Sequence, residues 1–418
     1  MKIAIVNQYC DSILPPRQNS VGACTYGVAP ILAENAEVRV FALAPPGASA
    51  SETVLDNVTY QLLQRSRMDE RLIRRHDRFA RAYQFLNGGM TIPMSAAPWT
   101  YPGFAKDAAR AVKAFAPDVV FVQHSTQCLQ ALRRANVPAQ LVLNIHHEFY
   151  PQCGHKAIAR RIRSADAVTT VSEFVAGASS GLLAGSGVTP VIVGNGIDLG
   201  EFSNPPPKPA TDAPRSILYA GAVSPEKGVH NLVDAFVQIA DRYGDIQLDI
   251  VGPLGARPLT EVFPEQGDPL FGEIKSLFDR DYGAALTQAL PDGLKHRVRM
   301  HGMIDRVELV QRYFDASVFV FPSLWNEGFG IPPIEAMAAA TPVIGTKTGA
   351  LTETIEPEKT GLLVPRNEPA ALADAIGHLL SDTEAARTMG LRARETALSQ
   401  YAWRDVAMRL RALFDQIA

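Results

Sequence analysis

The sequence predicts an α/β chain made of two similar units, each a parallel sheet with helical crossovers. Its 418 residues exceed what one hydrophobic core usually organises. Short runs rich in β-branched and aromatic residues alternate with helical stretches through both halves, the pattern of strand–helix–strand repeats. Between the halves, Pro205-Pro206-Pro207-Lys208-Pro209 interrupts regular pairing and reads as a linker.

In the first half the strands are expected at 3–6, 38–41, 119–123, 141–145 and 168–171. A break follows Asn195-Gly196-Ile197-Asp198, so residues 1–200 form the first domain. The second domain, 210–400, draws strands from 216–220, 247–251, 298–301, 317–321, 343–344 and 362–364. The segment 255–295 is longer than an ordinary connection and reads as a partly helical insertion. Two such units facing each other leave a cleft as the natural ligand site, and closure would exclude water from it.

Net charge is -3 and charged residues make up 20%, so no global basic field for nucleic acid exists. The first residues, Met1 to Val6, are too short for a secretion signal and read as a strand, and no apolar run reaches the roughly 18 residues of a membrane span. Cys10, Cys24, Cys128 and Cys153 show no C-x-x-C or zinc-like spacing, which favours reduced thiols, a cytoplasmic location and no metal.

The most informative stretch is Pro322-Ser323-Leu324-Trp325-Asn326-Glu327-Gly328-Phe329-Gly330-Ile331-Pro332-Pro333-Ile334-Glu335. An apolar strand precedes it and a helix follows, so the loop sits at a strand's carboxyl end, where α/β sheets bind ligands. Gly328 and Gly330 allow close backbone approach, and Pro332-Pro333 suit a helix start, which places Glu335 in the first turn. One carboxylate could hold sugar hydroxyls and the other a ribose diol. Glu335 could equally complement the helix dipole, with Glu327 a solvated loop residue. A second loop, Tyr219-Ala220-Gly221-Ala222-Val223-Ser224-Pro225-Glu226-Lys227-Gly228, runs from strand to helix and could cradle phosphate, with Lys227 balancing a departing diphosphate. A surface lysine is the alternative.

The Glu327–Glu335 spacing resembles the E-x7-E signature of the family 4 retaining glycosyltransferases. The resemblance runs through most of the chain and is strongest over 219–228 and 321–364. It implies two Rossmann-like domains facing across a cleft (GT-B type), with a last helix, about 401–418, crossing back to the first domain. Trp403 there reads as core. It also implies a nucleoside-diphosphate sugar donor, no cofactor and no metal. Glu327 would hold sugar hydroxyls, Glu335 the ribose, and Lys227 with backbone near Phe329 and Gly330 the diphosphate. At the place of the family's arginine stands Ala222, which removes a bidentate phosphate fork. Of the family's Gly-Gly pair in the opening loop, 15–23, only Gly22 is retained. Gly302, at another strand end, lies where backbone could read the nucleobase.

His146, in Asn144-Ile145-His146-His147-Glu148, resembles the family's cleft histidine and could hydrogen-bond the donor sugar or the attacking hydroxyl. His124, His147 and Glu148 compete with it. Ser172 and the 195–198 turn match the resembled pattern but suit capping and turn chemistry equally well. Arg65, Arg67, Arg71, Arg74, Arg75, Arg78 and Arg81, interleaved with apolar residues, could dock an anionic membrane face, bind an anionic acceptor, or form a solvated helix face.

These readings converge on a retaining, metal-independent transferase that moves a sugar from a nucleotide-sugar donor to a glycan, lipid-linked or small-molecule hydroxyl acceptor in polysaccharide or glycoconjugate biosynthesis. It would be cytoplasmic, either free or peripheral on the inner membrane face. A nucleotide-sugar epimerase or phosphorylase of the same plan, or a sugar-nucleotide-binding protein with weakened turnover, remains open.

Overall fold

A computed structural model describes residues 1–15, 19–86, 97–147, 156–184, 187–205, 214–255 and 269–418. The chain divides into two compact units, Met1–Gly196 with Trp403–Ala418, and Ile197–Ala402.

The first unit holds an eight-stranded sheet in the order β3-β4-β2-β1-β5-β6-β7-β8. Its strands are β1 (Lys2–Val6), β2 (Glu37–Leu43), β3 (Ser51–Leu55), β4 (Val58–Leu63), β5 (Val119–Gln123), β6 (Gln140–Ile145), β7 (Ala167–Thr170) and β8 (Val191–Ile192). All pairings are parallel except the edge hairpin β3–β4, which sequence reading missed. Asp56 and Asn57, at φ 50° and 61°, make its two-residue turn, the left-handed pair that matches strand twist. β1, β5 and β6 are apolar on both faces because helices cover both, leaving Ile3, Ile5, Phe121 and Val142 essentially inaccessible.

The helix Trp403–Ile417 belongs to this unit. Val406, Leu410 and Phe414 recur at helical spacing and enter the core, where the Phe414 ring meets Phe121 edge-on at 5.6 Å. Trp403 packs at the rim of that core, and a Cβ on Gly27 would lie 2.5 Å from its ring, so glycine is required on the facing helix Ser20–Ala33.

The second unit has a six-stranded, wholly parallel sheet in the order β11-β10-β9-β12-β13-β14. Its strands are β9 (Arg215–Ala220), β10 (Ile246–Val251), β11 (Val298–Gly302), β12 (Val318–Phe321), β13 (Val343–Thr346) and β14 (Gly361–Val364). The stretch read as an insertion contains helices Pro269–Phe278 and Tyr282–Ala289 and a 3-10 helix Asp292–Arg297. Of the proline-rich linker, residues 206–209 lie outside the described residues. Phe202 is buried against Tyr313 and Phe314, with ring centroids 6.4 and 6.0 Å away.

Both sheets reverse direction of growth at their first strand. In the first, the chain moves outward one way through β2 and the other way through β5; in the second, one way through β10 and the other through β12. The loops leaving β1 and β5, and those leaving β9 and β12, therefore emerge side by side at switch points, where open α/β sheets bind ligands.

Candidate active site

At the switch point of the second sheet, the β9 and β12 loops are pressed together. Gly228 sits at φ 67°, and a Cβ there would lie 2.0 Å from the Pro322 carbonyl oxygen, so only glycine permits this approach. The Leu324 and Trp325 amides donate to the Glu226 carbonyl at 2.9 and 3.3 Å, and the Arg366 guanidinium donates to the Leu324 carbonyl at 2.8 Å. This frame brings together two residues singled out in the sequence. Lys227 Nζ lies 2.6 Å from Glu327 Oε1, which also accepts from Ser323 Oγ at 2.6 Å. Lys227 is only 17% exposed and Glu327 8%, and the ammonium rests over the Trp325 and Phe321 rings, 4.8 and 5.6 Å from their centroids. The Glu327 backbone is fixed too, its carbonyl accepting from the Ala350 amide at 2.8 Å. Glu327 is thus a buried, paired carboxylate, not a solvated loop residue.

Glu335 lies elsewhere. The helix Ile331–Ala338 starts at Ile331, so Glu335 is in its second turn, a correction to the first-turn placement. The helix dipole falls off within the first turn, so dipole complementation does not account for this carboxylate. It is buried, and burial pushes its pKa up while the Arg306 guanidinium opposes that shift. Arg306 Nη1 sits 2.7 Å from Glu335 Oε1, and Tyr313 donates its hydroxyl to Oε2 at 2.8 Å. The same guanidinium reaches back through Nε to Glu201, 2.9 Å away on the 3-10 helix Leu199–Phe202. Arg306 and Tyr313 share the helix Arg306–Asp315, whose start is capped by the Asp305 carboxylate accepting from the Glu308 amide at 2.8 Å. Sequence reasoning missed both. The accessible signal was the Asp305 cap, which orients that helix and its first residue.

The remaining positions in this unit divide between the strand ends and the β12 loop. Gly221 follows β9 and Gly302 closes β11, where its carbonyl accepts from the Gly252 amide at 2.8 Å. Gly328 and Gly330 flank Phe329, which is buried and meets Tyr401 edge-on at 5.9 Å. Ala222 accepts the Tyr219 hydroxyl at its carbonyl, 2.6 Å. Beside it Ser224 is fully buried, and among the described residues its Oγ has no hydrogen-bond partner. Such a hydroxyl costs about 1–3 kcal/mol until something accepts from it.

At the first sheet's switch point the described polar residues are amides, hydroxyls and histidines, with the carboxylate Asp11 among them. His146 is buried just past β6, and its Nε2 lies 2.7 Å from Gln123 Oε1 at the end of β5. Burial pushes the imidazole down to about 4, so it is neutral at physiological pH. Its amide donates to His124 Nδ1 at 3.1 Å, and the His124 and His147 rings lie 3.8 Å apart, so the competing histidines buttress it. Glu148 lies outside the described residues.

Gly22 is not in a flexible loop but inside the helix Ser20–Ala33, its amide donating to the capping Asn19 side chain at 2.9 Å. A Cβ there would lie 1.9 Å from the Ser12 carbonyl oxygen, so glycine is needed for that contact. Residues 16–18 of the opening loop lie outside the described residues. Ser172 caps the helix Glu173–Leu183, accepting from the Val175 amide at 3.1 Å, and Asp198 accepts from the Gly200 amide at 2.8 Å. Asn195 accepts from the Cys24 thiol at 3.2 Å.

In the arginine-rich stretch, helices Arg67–Ile73 and His76–Leu86 expose four arginines and Arg74 and Arg75 between them are exposed too, as are Phe85 and Leu86 at 87% and 78%. Arg65 instead turns inward, donating to the Ala44 carbonyl and the Tyr101 hydroxyl, each at 2.9 Å. Among the described residues no helix is long and apolar enough to cross a membrane.

Comparison with known proteins decides the family. Residues 202–396 match the family described as glycosyl transferases group 1, and residues 21–201 match glycosyltransferase family 4. The chain belongs to the family 4 glycosyltransferases. Its curated relatives include a D-inositol 3-phosphate glycosyltransferase of Corynebacterium glutamicum, 30% identical over 48% of this chain and 43% of that protein. A phosphatidyl-myo-inositol mannosyltransferase of Mycobacterium leprae is 29% identical over 54% of each. The chain spans about half the length of the first curated relatives it matches. Among solved structures, sucrose-phosphate synthase from Thermosynechococcus elongatus aligns over 100% of this chain and 98% of that one, with TM-score 0.72 and 22% identity. Anabaena HepE in complex with UDP and glucose aligns over 100% of both, with TM-score 0.68 and 18% identity. The fold of this family 4 chain is GT-B.

Proposed function

We propose that this chain is a retaining, metal-independent glycosyltransferase that moves a sugar from a nucleoside-diphosphate sugar to a hydroxyl acceptor. The observation that carries the reading is the switch point of the second sheet, where Lys227 and Glu327 pair beside the orphaned Ser224 hydroxyl. An ammonium has three donors, so Lys227 can hold Glu327 with one and diphosphate oxygens with the others. Ser224 supplies a further donor to an anionic oxygen, which bears on the missing arginine at Ala222. Glu327 then takes sugar hydroxyls and Glu335 the ribose diol, with backbone near Phe329 and Gly330 meeting the diphosphate. Fold neighbours described as in complex with UDP or UDP-glucose, and a relative whose name records inositol 3-phosphate, support the same donor and acceptor classes.

In the reaction, the bond from the anomeric carbon to the diphosphate oxygen breaks, and Lys227 offsets the charge gathering on the leaving group. The acceptor oxygen bonds to the same face of that carbon while its proton passes to a leaving phosphate oxygen. His146 contacts a sugar or acceptor hydroxyl. Neither carboxylate is a covalent nucleophile, which separates this scheme from two-carboxylate glycoside hydrolysis. We place the reaction in polysaccharide or glycoconjugate assembly on the cytoplasmic side, with the exposed arginines of 67–81 resting on an anionic membrane surface.

Incubation with a panel of nucleotide sugars and inositol or sugar phosphates, followed by proton NMR of the product's anomeric centre, tests this directly. The expected outcome is acceptor-dependent nucleotide release, retained anomeric configuration and rates unchanged by EDTA. Inverted product, or release of free nucleotide with no acceptor requirement, would overturn it.

A further inference from the structure

We infer that Gln123 is a positioning residue that holds His146 with its ring proton on Nε2, leaving Nδ1 as the atom that accepts a substrate hydroxyl. The second half rests on the reading of His146 as a substrate contact.

A chain of buried side chains runs through Gln123, and its Thr169 end sets the orientation of each amide. At one end Thr169, fully buried in β7, has Asn144 as its hydroxyl's partner, with Oγ1 2.9 Å from Asn144 Oδ1. A buried hydroxyl with one partner donates to it, since accepting would strand its proton. Asn144 therefore turns its amide nitrogen toward Gln123, 3.0 Å from Oε1. At the other end the Asp11 carboxylate accepts from Asn7 Nδ2 at 3.0 Å and from the Gln8 amide at 3.0 Å. Thr25 Oγ1 lies 3.0 Å from Asn7 Nδ2, 3.2 Å from Asn7 Oδ1 and 3.2 Å from Gln123 Nε2, an arrangement that accommodates the Gln123 amide nitrogen as its donor. The Asn144 end thus turns the Gln123 oxygen to the imidazole, and the Thr25 end fits that orientation. An oxygen 2.7 Å from His146 Nε2 requires a proton on that nitrogen. Asn144 Nδ2, 3.1 Å from Nε2, has two hydrogens and directs one of them to Gln123 Oε1.

The consequence is a neutral imidazole of one tautomer whose remaining nitrogen is a pure acceptor. Among the described residues Nδ1 has no hydrogen-bond partner. A hydroxyl is the chemistry that such an atom recognises; the ionised diphosphate of a nucleotide sugar, which offers no proton near neutral pH, is not. This assigns the first unit's switch point to a hydroxyl and leaves the diphosphate to the second unit.

Long-range proton–nitrogen NMR of the full chain, labelled at histidine and assigned with His146→Ala, reads the tautomer without reference to activity. The wild type should show His146 protonated at Nε2 at neutral pH. Gln123→Leu should give a mixture of tautomers and a kcat lowered on the order of tenfold with donor KM little changed, the equivalent of one lost hydrogen bond. Gln123→Glu restores the acceptor oxygen and should restore the Nε2 tautomer, with the acid limb of the rate profile moved to higher pH because a carboxylate favours the imidazolium. Protonation at Nδ1 in the wild type, or an unchanged tautomer in Gln123→Leu, overturns the lock. Unchanged turnover in His146→Ala overturns the substrate contact, and the spectra still decide the lock on their own.

Discussion

The two switch points occupy equivalent places in two similar sheets, yet they are built from different chemistry. In the first unit, amides, hydroxyls and a neutral histidine surround a single carboxylate, Asp11. In the second, buried charges are paired: Lys227 with Glu327, and Arg306 with Glu335 and Glu201. Neutral networks fix the direction of protons and recognise groups that carry one. Charged pairs hold a site open to a polyanion, because cations already committed to carboxylates remain charged and in place when buried. The asymmetry is consistent with the proposed assignment of a nucleoside diphosphate to the second unit and a hydroxyl to the first.

Arg306→Met should break the charged side most severely. It removes a partner from buried Glu335 and should cost about 3 kcal/mol, toward the low end for a severed buried pair because Arg306 is 39% exposed. The sign with pH is also set. Glu335 is already shifted upward by burial, and losing Arg306 raises it further, so the variant should regain stability as pH falls from neutrality and the carboxyl protonates. Tyr313→Phe, which removes one hydrogen bond that also holds the Glu335 carboxyl down, should cost less and show a smaller regain. Melting curves of the three proteins at pH 5 and 7.5 check both statements.

On the neutral side the effect is smaller and its sign is carried by Asp11, whose carboxyl burial pushes up to about 6 from 3.8. Folding then takes up a proton between those values, so Asp11's contribution is greatest below pH 4 and is lost as pH rises through 6. Relative to Asp11→Asn, the wild type should gain about 2 kcal/mol between pH 7 and 4, measured by denaturant unfolding. A flat difference would show that Asp11 titrates normally and that the first unit is not the uncharged environment described here.

Much of this architecture was legible because parallel strands buried on both faces leave continuous apolar runs, and because Gly228, Lys227 and Glu327 lie in loops that directly follow such runs. The β3–β4 hairpin was missed, although Asp56-Asn57 between two β-branched segments is a recognisable turn signal. Glu335 was placed one turn early because its two prolines were taken to open the helix, which begins at Ile331. Arg306, Tyr313, Gln123 and Asn144 were not legible. Their roles come from contacts across strands and helices, and no local pattern announces that an arginine after a helix cap will meet a carboxylate 29 residues on.

Calorimetric titration of nucleoside diphosphates into the full-length wild type, Glu335→Gln and His146→Ala tests the division of labour most directly. Affinity should fall at least about tenfold in Glu335→Gln and stay near wild type in His146→Ala. Equal affinity in Glu335→Gln, or a loss confined to His146→Ala, would contradict the assignment of the nucleotide to the second unit.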